Sequence, residues 1–86
     1  MSVGITKTAS KQLRKLGKAF QIILGKKIRE LEYETSKEGK LTGFGNTFRV
    51  RVGDYRIVYQ KKPKEIVVIL IGHRREVYKL LDNLLK

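Results

Sequence analysis

Arg49, Arg51 and Arg56 lie on two short runs, TFRVRV and YRIVYQ, that only Gly53 and Asp54 separate. A guanidinium is a permanent cation, and its planar fork of donors matches the oxygens of a phosphate. The first run alternates with the two-residue period of a strand, Phe48, Val50 and Val52 on one side and Arg49 and Arg51 on the other. Gly53–Asp54 suits a two-residue hairpin turn, with glycine supplying positive φ at the first position. Such a turn pairs Val52 with Tyr55, Arg51 with Arg56, Val50 with Ile57 and Arg49 with Val58. One face of the hairpin then holds Phe48, Val50, Val52, Tyr55, Ile57 and Tyr59, which is core, and the other gathers the three arginines. Like charges set directly opposite across two strands destabilise the pair. We read the cluster as a site for an anion, phosphate above all, that joins it in the working state. The plainer alternative is a solvated basic face that tolerates its own repulsion.

The segment GHRREVY, residues 72–78, extends this set. Arg74 and Arg75 fall where a strand leaves the sheet for the last helix, and loops at sheet ends often carry function. Tyr78 is one residue past Val77, about 100° round the helix from the apolar stripe. Alone it would be a boundary tyrosine. Beside arginines it is a candidate for stacking on a base or for moving a proton. His73 is a candidate base, imidazole being the side chain that changes charge near neutrality; a histidine that bonds backbone at a strand end is an equal alternative. Lys7, Lys11, Lys15 and Lys18 read first as a solvated face and second as a track for a phosphate backbone, with Arg75 as a further RNA contact. Lys61–Lys64 reads as a solvated turn around Pro63.

The elements that position these groups follow from periodicity. A short strand is expected near Val3–Thr6, then a helix with Thr8 as N-cap, Ala9, Leu13 and Leu16 as its apolar stripe, and Gly17 as its end. A second helix is expected from Lys18 to Glu34, with Phe20, Ile23, Leu24, Ile28 and Leu31 at helical spacing. Ser36–Asn46, with three glycines, reads as loop. EIVVILI is apolar on both faces and belongs inside the sheet. A last helix over about Arg75–Leu85 carries Val77, Leu80, Leu81, Leu84 and Leu85 as a core-facing stripe. The order is β-α-α-β-β-β-α, an α+β fold in which an antiparallel-rich sheet is packed by an N-terminal helical hairpin and a C-terminal helix.

Composition bounds the function. The 86 residues allow one domain, 1–86. A net charge of +12 points to a polyanionic partner. Residues 1–29 hold eight basic side chains and no acidic one, whereas ELEYETSKE, residues 30–38, holds four glutamates against one lysine. With no cysteine, disulfides, thiol catalysis and cysteine-built metal sites are excluded, and one histidine cannot make a histidine-built site. No cofactor or metal is expected. MSVGITKTASKQL lacks the apolar stretch of a secretory signal, and the longest apolar run, Ile66–Ile71, is too short to span a membrane. A cytoplasmic chain with no membrane partner is expected.

FRVRVGDYRIVYQ followed by IGHRREVYKLL resembles the RelE/ParE superfamily of toxins from type II toxin–antitoxin systems, and TKTASKQLRKL fits the first helix of that family. The similarity covers about residues 3–81, and its specific parts are residues 48–60 and 71–78. It implies a RelE-like, microbial-ribonuclease-type fold. The RelE branch implies a ribosome-dependent, metal-independent endoribonuclease that cuts mRNA in the A site and so inhibits translation, by attack of a 2′-hydroxyl on the adjacent phosphate. It implies catalytic roles for Arg49, Arg51, Arg56, Arg74 and Tyr78. Well-known members carry lysines where this chain has Arg49 and Arg51, so a lysine-type base does not carry over; His73, Arg51 or a ribosomal group remain as the base. The implied partners are a cognate antitoxin whose acidic and apolar segment wraps the toxin, the ribosome with its rRNA, and mRNA. Two rival functions are a ParE-like inhibitor of DNA gyrase and an RNA-binding module without catalysis.

Overall fold

The computed structural model describes residues 2–33, 39–40 and 45–85. Among the described residues, five strands form one mixed sheet in the order β1-β5-β4-β3-β2: β1 (Ser2–Ile5), β2 (Gly39–Lys40), β3 (Thr47–Val52), β4 (Tyr55–Lys61) and β5 (Glu65–His73). The helices are α1 (Lys7–Arg14), α2 (Lys18–Glu30) and α3 (Val77–Leu85). β1 runs parallel to β5, and the remaining pairings are antiparallel. The expected architecture is therefore present, with one addition. Within the segment read as loop, Gly39–Lys40 pairs with Arg49 and Phe48. The rest of that segment up to residue 44 lies outside the described residues, and α2, expected to run to Glu34, ends at Glu30, where the Glu32 and Tyr33 N–H groups turn back to the Arg29 and Glu30 carbonyls. No helix among the described residues is long and apolar enough to cross a membrane.

The hairpin register is the one expected, Val52↔Tyr55, Arg51↔Arg56, Val50↔Ile57 and Arg49↔Val58. Gly53 has φ of 61° and Asp54 has no positive φ, as a turn with glycine at its first central position requires. β5 lies between β1 and β4, which is why its stretch Ile66–Ile71 is apolar on both faces.

The sheet carries a different core on each face. On one, Ala9 of α1 and Leu24 and Leu31 at α2 bury against Val50, Ile57, Tyr59, Ile66, Val68 and Ile71. On the other, Val77 and Leu81 of α3 bury against Val58, Ile69 and Leu70. Phe20 and Ile23, expected in the core, are 46% and 51% exposed. α1 takes the close seat over β5, and α2, joined to it, reaches the core only through Leu24, Leu31 and the half-buried Ile28. Leu80 and Leu84 are likewise exposed, because α3 rests on β5 through Val77 and Leu81 one turn apart; the Leu85 side chain lies outside the described residues.

Three further boundaries shift from expectation. Thr6, not Thr8, caps α1: its φ of −73° and ψ of 163° are extended, and its hydroxyl accepts from the Ala9 N–H at 3.2 Å. β1 ends at Ile5, so the cap falls on the next residue, which is still extended when the helix begins. α1 ends at Arg14, and Gly17 serves as the N-cap of α2. α3 begins at Val77 rather than near Arg75, because the Glu76 N–H turns back to the His73 carbonyl at 2.9 Å. Thr6→Ala will lower folding stability by about 1 kcal/mol, while Thr8→Ala will leave it within about 0.5 kcal/mol. Urea denaturation of the two variants checks this, and an equal loss from both would contradict the cap assignment.

β5 carries a bulge: Val58 faces Leu70 and Tyr59 faces Val68, so Ile69 is the extra residue. Before it, Ile66 and Val68 point to the α1–α2 face; after it, Ile71 does. The bulge thus inverts the alternation for the last part of the strand. Thr6 satisfies the strand near this break, its N–H donating to the Val68 carbonyl at 3.0 Å and its hydroxyl to the Ile69 carbonyl at 3.4 Å. The Ile71 N–H, just beyond, donates to Gln12 Oε1 at 2.8 Å.

Candidate functional site

β3 and β4 present Arg49, Arg51 and Arg56 on the sheet face opposite the helical hairpin, as strict alternation requires. Arg51 and Arg56 are direct cross-strand partners, which sets their Cβ atoms about 5 Å apart. Arg49 is two residues along the same strand, about 7 Å from Arg51. Among the described residues, none of the three has a carboxylate within ion-pair distance; the ion pairs present join Lys27 to Glu30 and Arg74 to Asp54.

Each arginine is held differently. Arg56 is only 5% exposed. Its Nη1 donates to the Gly53 and Tyr55 carbonyls, both at 3.0 Å, which clasps the hairpin turn and fixes the guanidinium plane. Its other donors have no acceptor among the described residues. Arg49 Nη1 donates to the Tyr78 hydroxyl at 2.6 Å, and its guanidinium carbon lies 5.7 Å from the Tyr78 ring centroid. Tyr78, half-buried, packs its ring against the Val58–Leu81 core, so α3 holds it and the tyrosine in turn steadies Arg49. Arg51 is exposed.

Arg74 enters at the turn end. Its N–H donates to the Asp54 carbonyl at 2.7 Å, and its Nε lies 3.7 Å from Asp54 Oδ1. Asp54, read from sequence only as a turn residue, therefore ties the β5–α3 turn to the hairpin that carries Arg51 and Arg56. Gly72 is the cross-strand partner of Arg56. Its φ is not in the left-handed region, and a Cβ there would meet Val77 in ordinary contact at 3.6 Å. Neither role had a signal in the sequence, since Asp54 meets Arg74 across 20 positions and Gly72 meets Arg56 across 16.

Other candidates stand elsewhere. His73 pairs with Tyr55, on the α1–α2 face, because the bulge at Ile69 inverts the alternation. Its Nδ1 accepts from the Arg75 N–H at 3.2 Å, so the backbone-bonding alternative describes its contacts. Lys7 and Lys11 on α1, Lys15 at its C-cap and Lys18 at the start of α2 are exposed on the helical hairpin, the layer opposite the arginines. Arg75 is exposed in the turn before α3. Among the described residues no group of three His, Cys, Asp or Glu side chains could hold a metal. Four guanidinium groups from three segments, beside an aromatic ring, are suited to gripping an anion.

Comparisons with known proteins bear on the family. Residues 3–78 match the model of the ParE toxin of type II toxin–antitoxin systems. No curated protein gives a significant match. Among solved structures, the archaeal RelE–RelB complex from Pyrococcus horikoshii is 33% identical with a TM-score of 0.71, over 85% of this chain and 93% of that one. The intact Escherichia coli RelBE toxin–antitoxin complex is 28% identical with a TM-score of 0.71, over 84% and 94%. The RelB–RelE complex from Methanococcus jannaschii is 25% identical with a TM-score of 0.73, over 87% and 94%. The chain belongs to the ParE/RelE superfamily of toxins of type II toxin–antitoxin systems.

Proposed function

We propose that this toxin is a ribosome-dependent endoribonuclease that cuts mRNA in the A site. One observation carries the reading: Arg51 and Arg56 are cross-strand partners with no carboxylate in ion-pair distance among the described residues, beside an Arg49–Tyr78 pair and a hairpin turn that Arg74 contacts at Asp54. Such a concentration of charge is unfavourable unless an anion completes it. In this reading the 2′-hydroxyl of a ribose attacks the adjacent phosphorus. The new O2′–P bond forms as the P–O5′ bond breaks, leaving a 2′,3′-cyclic phosphate and a 5′-hydroxyl. Charge grows on the non-bridging oxygens, where Arg56 and Arg74 stabilise it, helped by Arg49 and Arg51. The Tyr78 ring stacks on a base and keeps the strand in line for attack.

Among the described residues the arginine face holds permanent cations and the Tyr78 hydroxyl, which already accepts a hydrogen bond from Arg49 Nη1. His73 is on the other face. The base therefore comes from the ribosome, which gives ribosome dependence a chemical cause. Message and ribosome place the toxin's work in the cytoplasm.

A cognate antitoxin restrains the toxin. The RelE neighbours were solved with RelB, and this chain offers what an acidic, apolar wrapping segment needs: a charge of +12 and exposed Ile22, Leu80 and Leu84.

The test is the double variant Arg56→Ala/Arg74→Ala on ribosomes programmed with a defined message. Cleavage will fall by at least three orders of magnitude, about two for each lost donor. Cleavage at the wild-type rate would overturn the reading. Because the matching family model is that of ParE, gyrase is the alternative target. A toxin that breaks DNA through gyrase, leaves message intact and is indifferent to both substitutions would establish that function instead.

A further inference from the structure

We propose that Phe20, Tyr55 and His73 form a second platform, on the face opposite the arginines, that stacks an unpaired base of the same RNA strand next to its scissile link. This rests on the nuclease reading and extends the contact beyond the arginine face.

The three rings meet at the turn end of the sheet. Phe20 and Tyr55 have centroids 5.0 Å apart at an interplanar angle of 55°, and Tyr55 and His73 are 6.0 Å apart, edge to face at 79°. Tyr55 and His73 are half-buried, but Phe20 is 46% exposed. The core of this layer does not need the Phe20 ring, since Leu24, Leu31, Ile57 and Tyr59 are already sealed beneath the helices. With Tyr55 covering one side, a broad part of the Phe20 surface faces solvent. That is costly for an aromatic side chain, and an incoming planar partner recovers the cost.

The rim selects the partner. Lys18 precedes Phe20 by two residues at the start of α2, and Arg75 follows His73 by two; both are exposed. The carboxylates at this end are Asp54, engaged by Arg74, and Glu76. Rings that offer π-faces, bordered by cations, are the combination that holds single-stranded nucleic acid, stacking the bases and pairing the phosphates. An acidic peptide would use the cations and leave the aromatic geometry without purpose.

A path joins the two faces. Tyr55 and Arg56 are consecutive residues on opposite sides of β4, so one strand passing the end of the sheet meets both. At the turn, Gly53 has open space where a side chain would be, with nothing within 4 Å. A nucleotide on the arginine face can thus be followed by a neighbour that folds round the turn onto Phe20.

The experiment measures binding of the toxin to ribosomes programmed with a message whose A-site codon carries 2′-deoxyriboses, which blocks cleavage. Abasic nucleotides are introduced one at a time near that codon. For the wild type, one abasic position beside the scissile link will weaken binding about tenfold. Phe20→Leu, which keeps an apolar side chain over the core, will bind the intact message about tenfold more weakly and will not respond to that abasic position. Wild-type affinity in Phe20→Leu, or an undiminished abasic effect, would overturn the platform. So would a loss in Phe20→Leu confined to antitoxin binding, which would assign the rings to a protein interface. Arg51→Ala separates the two claims: weaker binding there with none in Phe20→Leu leaves the nuclease reading standing, and no message-dependent binding by the wild type sinks both.

Discussion

Arg56→Ala will reduce message cleavage by about two to three orders of magnitude and folding stability by about 1–3 kcal/mol. The two losses have separate causes in one side chain. Nη1 spans the Gly53 and Tyr55 carbonyls, both at 3.0 Å, and alanine leaves those acceptors at the hairpin turn without their donor. The remaining guanidinium donors have no acceptor among the described residues, and Arg56 stands opposite Gly72 in the strand pairing. They are the donors a phosphate would meet, and they cost no reorganisation because the turn already holds them. Arg56→Lys separates the effects. It keeps the charge but cannot fork between two carbonyls and an anion at once, so cleavage will remain well below wild type. Urea denaturation and cleavage on programmed ribosomes, both at a temperature where each variant is folded by circular dichroism, check the pair. A destabilised variant that cleaves at the wild-type rate would make Arg56 a structural clasp alone.

Tyr78→Ala will lower cleavage by about a hundredfold, and Tyr78→Phe by about tenfold or less. Alanine removes the ring, whose stacking on a base contributes about 1–3 kcal/mol, and frees Arg49 as well. Phenylalanine keeps the ring against the Val58–Leu81 core and forfeits only the 2.6 Å bond from Arg49, worth about 1.5 kcal/mol for a charge-assisted contact. Single-turnover cleavage by the two variants checks the order. If Tyr78→Phe were as impaired as Tyr78→Ala, the hydroxyl would be a proton carrier and the ring's stacking would be secondary.

The arginine hairpin was legible because two signals in the sequence agree. TFRVRV alternates without exception, and Gly53 marks the turn, so the register has one solution that buries Val50 and Ile57. β5 was legible as an interior strand for the opposite reason, its lack of alternation. That same lack hid the bulge. IVVILI shows no polar residue from which parity could be counted, so nothing in it tells which face His73 reaches once Ile69 is inserted. Thr6 and Thr8 are equivalent as caps until the end of β1 is known. On α2 the spacing of Phe20, Ile23, Leu24, Ile28 and Leu31 gives the direction of the apolar stripe but not how much of it another element covers. The joins that shape the site, Asp54 to Arg74 and Arg49 to Tyr78, link segments 20 and 29 positions apart. They arise only when the sheet brings those segments together.

Cleavage at the arginine face is tested most directly by the chemistry of the ends left on ribosome-bound message after exposure to the purified toxin. The expected products are a new 5′-hydroxyl inside the A-site codon and a 2′,3′-cyclic phosphate on the upstream fragment, with no cut in the same RNA free of ribosomes. Intact message on the ribosome, or fragments bearing a 5′-phosphate, would contradict an attack by the 2′-hydroxyl at the arginine face.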